Sequence, residues 1–269
     1  MYRNHTLVSV VIPMYNAAST IIDALESVRK QNYEGKMEIM VVNDGSTDNS
    51  VDIVNRYKVE HEELDINVIN KPNGGVASAR NTGIKAANGD FIALLDSDDV
   101  WLENKLKVLM PYFDNLEIDC IGSGQYGKLL KCGFKTIKRL TQICPIDLVF
   151  RWNPHTSTVV FRKTLVDKIG LYNENLKYAE DGEYWLRIAY NCGFFVIPDS
   201  FVIAGHGKHV YGESGLSGNL KRMHEGELYA IDSAHNIGGI SKIICCLAKL
   251  FARIKYIKRK IIVFLRKIL

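Results

Sequence analysis

Residues 7–12 form an unbroken run without a charge, rich in β-branched side chains, that stops at Pro13-Met14-Tyr15-Asn16. Beyond the stop, Ile21, Ile22, Leu25 and Val28 recur at helical spacing, with Asn16 or Ser19 placed to cap the first turn. Strand, loop and helix then repeat. Residues 38–42 predict a second strand, Asn43-Asp44-Gly45-Ser46 a turn and 51–57 a helix. Residues 66–69 predict a third strand, followed by Lys71-Pro72-Asn73-Gly74-Gly75 and a helix from Val76 that Asn88-Gly89 is suited to end. A fourth apolar strand at 91–95 runs straight into Asp96-Ser97-Asp98-Asp99, with a helix expected over 101–113.

Strands alternating with helices at this spacing imply an α/β fold of Rossmann-like kind, a mostly parallel central sheet with helices on both faces. Ligands of such sheets bind beyond the carboxyl ends of the strands. The polar clusters around Tyr15, Asp44, Lys71 and Asp96 each follow a strand directly, so they are expected to converge at one edge. From Cys120 the alternation fades, and Gly122, Gly124, Gly127 and Gly133 predict irregular structure before 146–152. Further on, 156–161 and 195–197 read as strands, 163–169 and 183–191 as helices, and the glycine- and histidine-bearing 204–219 as a loop. The chain thus divides into a unit over 1–239, with halves 1–119 and 120–239, and a tail over 240–269.

Composition changes the picture chiefly at the tail. The 269 residues are 47% hydrophobic and 24% charged, a globular composition that argues against disorder. Nine Lys or Arg and no acid occupy 240–269; with a total of +4, the preceding residues carry a net −5. An acidic body with a basic end points to an anionic surface partner, not to a nucleic acid groove. In the tail Lys242, Lys249, Arg253, Lys260 and Lys267 recur near a helical period, with Ile243, Leu247, Leu250, Ile254, Ile257, Ile261 and Leu265 between them. One or two amphipathic helices follow, meeting either a membrane interface or a protein surface. Its uncharged stretches, 243–248 and 261–265, fall well short of the roughly 20 residues of a span. The run 7–12 is likewise too short for a signal-peptide core, and the six cysteines, with no C-x-x-C pair, read as reduced thiols. The expected location is cytoplasmic, peripheral at the inner face of the cell membrane.

Three carboxylates within four residues, at Asp96-Ser97-Asp98-Asp99, repel one another unless a cation joins them. Mn²⁺ or Mg²⁺ prefers carboxylate and phosphate oxygens, and could bridge the protein to a diphosphate leaving group. Asp96 and Asp98 are candidates for metal or ribose contact, while Asp99 reads as a cap for the helix expected over 101–113.

The motifs, taken in order, resemble those of the family 2 glycosyltransferases. Val8-Ser9-Val10-Val11-Ile12-Pro13-Met14-Tyr15-Asn16 is similar to the family's opening strand and base-binding loop, and Val42-Asn43-Asp44-Gly45-Ser46-Thr47-Asp48 to its second. Asn73-Gly74-Gly75 with Ala79-Arg80-Asn81-Thr82-Gly83 resembles the third block, Asp96-Ser97-Asp98 the D-x-D metal motif, and Glu180-Asp181 the acidic pair that holds the catalytic base. D-x-D alone is common by chance; five motifs in order are specific. The resemblance implies the nucleotide-sugar-binding fold called GT-A, with 1–119 binding the nucleotide, 120–239 the acceptor, and configuration inverted. It implies that Pro13 and Tyr15 flank the nucleobase, that Asp44 hydrogen-bonds it, that Asp96 with Ser97 meets the ribose, and that Asp98 with Asp96 binds the metal. It favours a UDP-sugar as donor; a membrane-associated tail in turn suggests a saccharide or lipid-linked saccharide as acceptor, in surface polysaccharide or glycolipid synthesis.

For Tyr15 core packing is the plain alternative, and for Arg80 the alternatives are phosphate and a carboxylate partner. Asp181 is the candidate general base, with Glu180 beside it; both could instead be the acidic first turn of a helix. His206 is a candidate third metal ligand, and Lys208 or His209 a phosphate contact, in Gly205-His206-Gly207-Lys208-His209. Two other functions compete. A sugar nucleotidyltransferase would need a glycine-rich, basic loop after the first strand, where this chain has Pro13-Met14-Tyr15-Asn16. A non-catalytic sensor or scaffold would not need the acids for metal and base, all of which are present.

Overall fold

The structure is a computed structural model, and it describes residues 6–205 and 218–268. The expected alternation is there: β1 (Leu7–Met14), α1 (Ile21–Arg29), β2 (Lys36–Asp44), α2 (Ser50–Glu60), β3 (Asp65–Lys71), α3 (Val76–Ala86) and β4 (Phe91–Leu94). The second half adds β5 (Val100–Trp101), α4 (Lys105–Leu109), β6 (Cys120–Gln125), the hairpin β7 (Lys131–Cys132) and β8 (Lys135–Thr136), β9 (Thr141–Gln142) and α5 (Pro145–Phe150). It continues with β10 (Val160–Arg162), α6 (Leu165–Ile169), α7 (Glu180–Asn191), β11 (Phe194–Ile203), α8 (Leu220–Asn236) and α9 (Lys242–Ile268).

One sheet runs through both halves in the order β3-β2-β1-β4-β10-β6-β11-β5, with β9 on β11. The strands β3, β2, β1 and β4 are parallel neighbours, β10 runs antiparallel between β4 and β6, and β6 pairs β11 in parallel. Seven of the eight β1 residues are buried, the mark of a parallel strand covered on both faces. Its pleat divides two cores. Val8, Val10, Ile12 and Met14 join the cluster under α1, α2 and α4, whereas Val11 faces the cluster that holds α3, α5, α7 and α8. The chain order reverses between β1 and β4, so the crevice beyond their carboxyl ends is the expected ligand site.

Several expectations need correction. Gly122 and Gly124 do not mark irregular structure; they lie in β6, buried in the sheet. A Cβ at Gly122 would sit 2.3 Å from Pro154 Cγ, so the glycine answers a close approach. Gly122→Ala should lower the unfolding free energy by roughly 1–3 kcal/mol through overpacking, read as a lower urea midpoint at unchanged slope. The helix expected over 101–113 is broken up: Trp101 is in β5, α4 is five residues long, and a 3₁₀ turn with Pro111 covers Met110–Asp114. Pro111 lacks the N–H that an α-helix would use there. Helix α3 ends at Ala86 with Ala87 as its C-cap, so Asn88-Gly89 does not cap it. Gly89 instead lets β1 approach, since a Cβ there would meet Ser9 Oγ at 2.6 Å and Leu7 O at 2.7 Å. The residue before α1 is Thr20, and neither Asn16 nor Ser19 caps it. Residues 156–158 form a 3₁₀ turn ahead of β10, and the tail is one helix of 27 residues.

Candidate active site

The loops after β1 and β2 are laced together. Asn16, at φ 50°, accepts from Thr47 N at 2.8 Å while its own N–H donates to Ser46 Oγ at 3.0 Å. Ala17 and Ala18 donate to Ser50 Oγ and Asp48 Oδ2. This lacing holds Tyr15, 52% exposed, out of the core at the end of a strand whose Pro13 is buried, which rules out simple packing for the tyrosine. Asp44, buried at the end of β2, accepts from Lys71 Nζ (2.6 Å) and Gly74 N (2.9 Å) on Oδ1 and from Gly75 N (2.8 Å) on Oδ2. Two lone pairs per oxygen leave Oδ2 one acceptor position for a ligand. Gly75, at φ 87°, takes a conformation that a side chain would disfavour.

Beyond β4 the acids separate by environment. Ser97 and Asp98 are half-buried, and neither makes a side-chain hydrogen bond among the described residues. Asp96 accepts from Arg80 Nη2 at 2.7 Å; burial opposes its charge, but Arg80 and His155 outweigh burial and hold its carboxyl below the ordinary range. Asp99 is no helix cap. It is buried, accepting from Ser157 Oγ and from Gly205 N (2.8 Å), and burial with the nearby Asp96 pushes it up to about 6 against His155, Ser157 and Gly205. Asp96, Asp99 and His155 bring one ligand atom each within 4.8 Å of one another. His155 Nδ1 lies 3.4 Å from Asp99 Oδ2, yet it is buried and makes no hydrogen bond. Two carboxylates and an orphaned imidazole nitrogen are a donor set that suits a divalent cation. Asp98 stands outside this trio, and His206, Lys208 and His209 lie outside the described residues.

Arg80 answers the alternative posed for it by pairing with carboxylates. It is 3% exposed, and its two terminal nitrogens bind Asp96 Oδ1 and Glu180 Oε1, each at 2.7 Å. Glu180 opens α7, preceded by Ala179 at φ 57°. A left-handed alanine costs of order 1–2 kcal/mol, a strain characteristic of functional sites. Burial and the neighbouring Asp181 push Glu180 up to about 7, against the pull of Arg80. Asp181 is half-buried; its Oδ1 accepts from Gly182 N (2.7 Å) and its Oδ2 faces Thr156 Oγ1 at 3.4 Å. Acids from the two halves of the chain therefore share one guanidinium.

Sequence reasoning missed the segment that supports this junction. Trp152 lies against Gly182, where a Cβ would come 2.4 Å from Trp152 Cε3, and donates to Glu227 Oε1 at 2.6 Å. His155 reaches Asp99, Thr156 faces Asp181, and Ser157 Oγ donates to Asp99 Oδ2 while accepting from Asp96 N at 3.0 Å. The available signal was Trp152-Asn153-Pro154-His155, an aromatic, an amide and an imidazole around a proline, just ahead of an apolar strand.

The sequence model of the family described as "Glycosyl transferase family 2" matches residues 9–170. An uncharacterized glycosyltransferase of Rickettsia felis is 34% identical over 195 residues, which are 68% of this chain and 30% of that protein. The chain thus spans about a third of the length of its first relatives. The Escherichia coli UDP-Glc:alpha-D-GlcNAc-diphosphoundecaprenol beta-1,3-glucosyltransferase WfgD is 34% identical over 206 residues, 70% of this chain and 74% of its own. Among solved structures, S. aureus TarS 1-349 in complex with UDP-GlcNAc superposes with a TM-score of 0.68 at 25% identity, over 84% of this chain and 66% of that one. A mannosyltransferase, PcManGT from Pyrobaculum calidifontis, in complex with GDP-Man and Mn²⁺, shares the fold at a TM-score of 0.61 and 18% identity, over 92% of this chain and 79% of its own.

Proposed function

The chain belongs to glycosyl transferase family 2, and from that premise we propose that it is an inverting enzyme that moves a sugar from a UDP-sugar to a hydroxyl of a lipid-linked saccharide. The observation that carries this reading is Arg80, which ties Asp96, at the donor-side crevice, to Glu180, the neighbour of Asp181. Residues 1–119 are the donor half, 120–239 the acceptor half and 240–269 a peripheral membrane contact. The UDP and lipid-linked parts draw on TarS and on WfgD, whose names carry those ligands.

In this reading Pro13 and Tyr15 flank the base, Asp44 accepts from its edge, and Asp96 with Ser97 meets the ribose. Asp98 and Asp96 would hold Mn²⁺ or Mg²⁺, with Asp99 and His155 close enough to share in it; the ion would neutralise charge on the departing diphosphate. Asp181 takes the acceptor proton as the hydroxyl oxygen bonds to the anomeric carbon. The bond to the diphosphate oxygen breaks on the opposite face, and its electron pair leaves with UDP. One base on one face suffices for inversion, without a covalent intermediate.

Calorimetry with UDP, GDP, CMP and dTDP, with and without Mn²⁺, tests the donor side. UDP should bind measurably tighter with the ion, and Asp98→Ala should abolish the difference. Binding of none of the four nucleotides would overturn the donor reading.

A further inference from the structure

Helix α9 is attached to the body by one face and leaves another bare. Cys245, Ala248 and Ala252 are buried, small residues that let α9 lie close on α8 and α5. Lys249 Nζ meets Asp232 Oδ1 at 2.5 Å, Lys255 meets Glu227, and Arg259 lies 3.7 Å from the same acid. Phe251 packs edge-on against Phe134 and Phe150, with ring centroids 5.8 Å apart in each pair.

The opposite face carries large apolar side chains that nothing among the described residues covers. Ile243, Leu247, Leu250, Ile254, Ile257, Ile261 and Phe264 recur at three- and four-residue spacing, each between 50% and 73% exposed. From first to last the stripe runs about 32 Å at 1.5 Å per residue. Exposed Lys242, Arg253 and Lys260 follow one border on the helical wheel, and exposed Lys258 stands on the other. The helix has no acidic residue.

We propose that α9 is an in-plane anchor for an anionic lipid leaflet, its apolar stripe entering the acyl boundary and its bordering lysines and arginine meeting lipid phosphates. This deepens the membrane contact proposed above and does not depend on the transfer chemistry. No helix among the described residues is long and apolar enough to cross a membrane, which fits a helix lying in the interface. A second copy fits worse: two such stripes face to face would bring basic borders together with no acid on either helix to offset them. An anionic leaflet supplies both the apolar phase and the opposite charge.

The test uses the full chain and vesicles of phosphatidylcholine, alone or with about one quarter phosphatidylglycerol, in co-sedimentation. Unmodified protein should bind the anionic vesicles at least about tenfold more tightly than the neutral ones. The triple variant Ile254→Glu, Ile257→Glu, Ile261→Glu should lose at least about tenfold on anionic vesicles while keeping its urea midpoint. Arg253→Glu with Lys260→Glu should lose at least about twentyfold, at roughly fivefold per basic residue, with the loss shrinking at high salt. Equal binding by the parent and both variants, or no vesicle binding by the parent, overturns the proposal. So does a parent dimer that the triple variant splits without any change on vesicles. UDP binding, measured separately in solution, keeps the two readings apart: its loss strikes the donor site, and loss of vesicle binding strikes α9.

Discussion

Asp181→Asn should lower turnover by about 10² to 10⁴ and leave the calorimetric affinity for UDP and Mn²⁺ within about twofold. Asparagine keeps an oxygen for Gly182 N, which Asp181 Oδ1 now accepts at 2.7 Å, and it keeps the volume beside Thr156. What it loses is the ability to take a proton from the acceptor hydroxyl. The control is Glu180→Gln, which retains a side-chain oxygen for Arg80 and should reduce turnover less than Asp181→Asn. Steady-state rates with donor saturated separate the two. Turnover unchanged in Asp181→Asn would remove that residue from the chemistry.

Arg80→Met should cost about 3–5 kcal/mol of stability, because it leaves the half-buried Asp96 and the buried Glu180 without their shared cation. The pH dependence has a definite sign. Glu180, raised from 4.5 to about 7, favours the native state fully below its unfolded value, and that contribution is lost as pH rises through about 7. Without Arg80 its charged form is still less favoured, so the penalty should be larger near pH 8 than near pH 5.5. Urea titrations at the two pH values measure it, and an equal penalty at both would show that charge is not the cause. Adding Glu180→Gln should recover part of the loss. Arg80→Lys should fall between, since a single ammonium cannot fork to two carboxylates.

The parallel half of the fold was legible because strands covered on both faces are nearly continuous apolar runs, as in β1 and β4, and each ends on a polar cluster. Tyr15, Asp44 and Asp96, the residues proposed for the donor side, lie at or just beyond strand ends, so their convergence could be anticipated from connectivity. Strand β6 could not, because Gly122 is required by Pro154 and Gly124 by Ser200 and Pro198, all remote along the chain. Asp99 looked like a cap because its partners, His155, Ser157 and Gly205, come from other segments. Arg80 and Glu180 are 100 residues apart, and nothing local to either distinguishes a carboxylate from a phosphate as the arginine's partner. In the tail the amphipathic pattern was plain, but which face docks was decided by Ala248 and Ala252, small residues a hydrophobicity pattern underweights.

Glu227 bears on how the protein can be shortened for study. It is 2% exposed and takes Trp152 Nε1, Lys255 and Arg259, so one acid fastens both the last helix and the tryptophan that lies on Gly182. A fragment ending at residue 239 would strip two cations from that acid and bare the faces of α8 and α5 against which Cys245, Ala248 and Ala252 pack. Its residual rate would then report a disturbed Trp152 at Gly182, next to Asp181, and not what the tail contributes. Point changes on the outer face of α9 leave Glu227 its partners, which makes them the cleaner instrument.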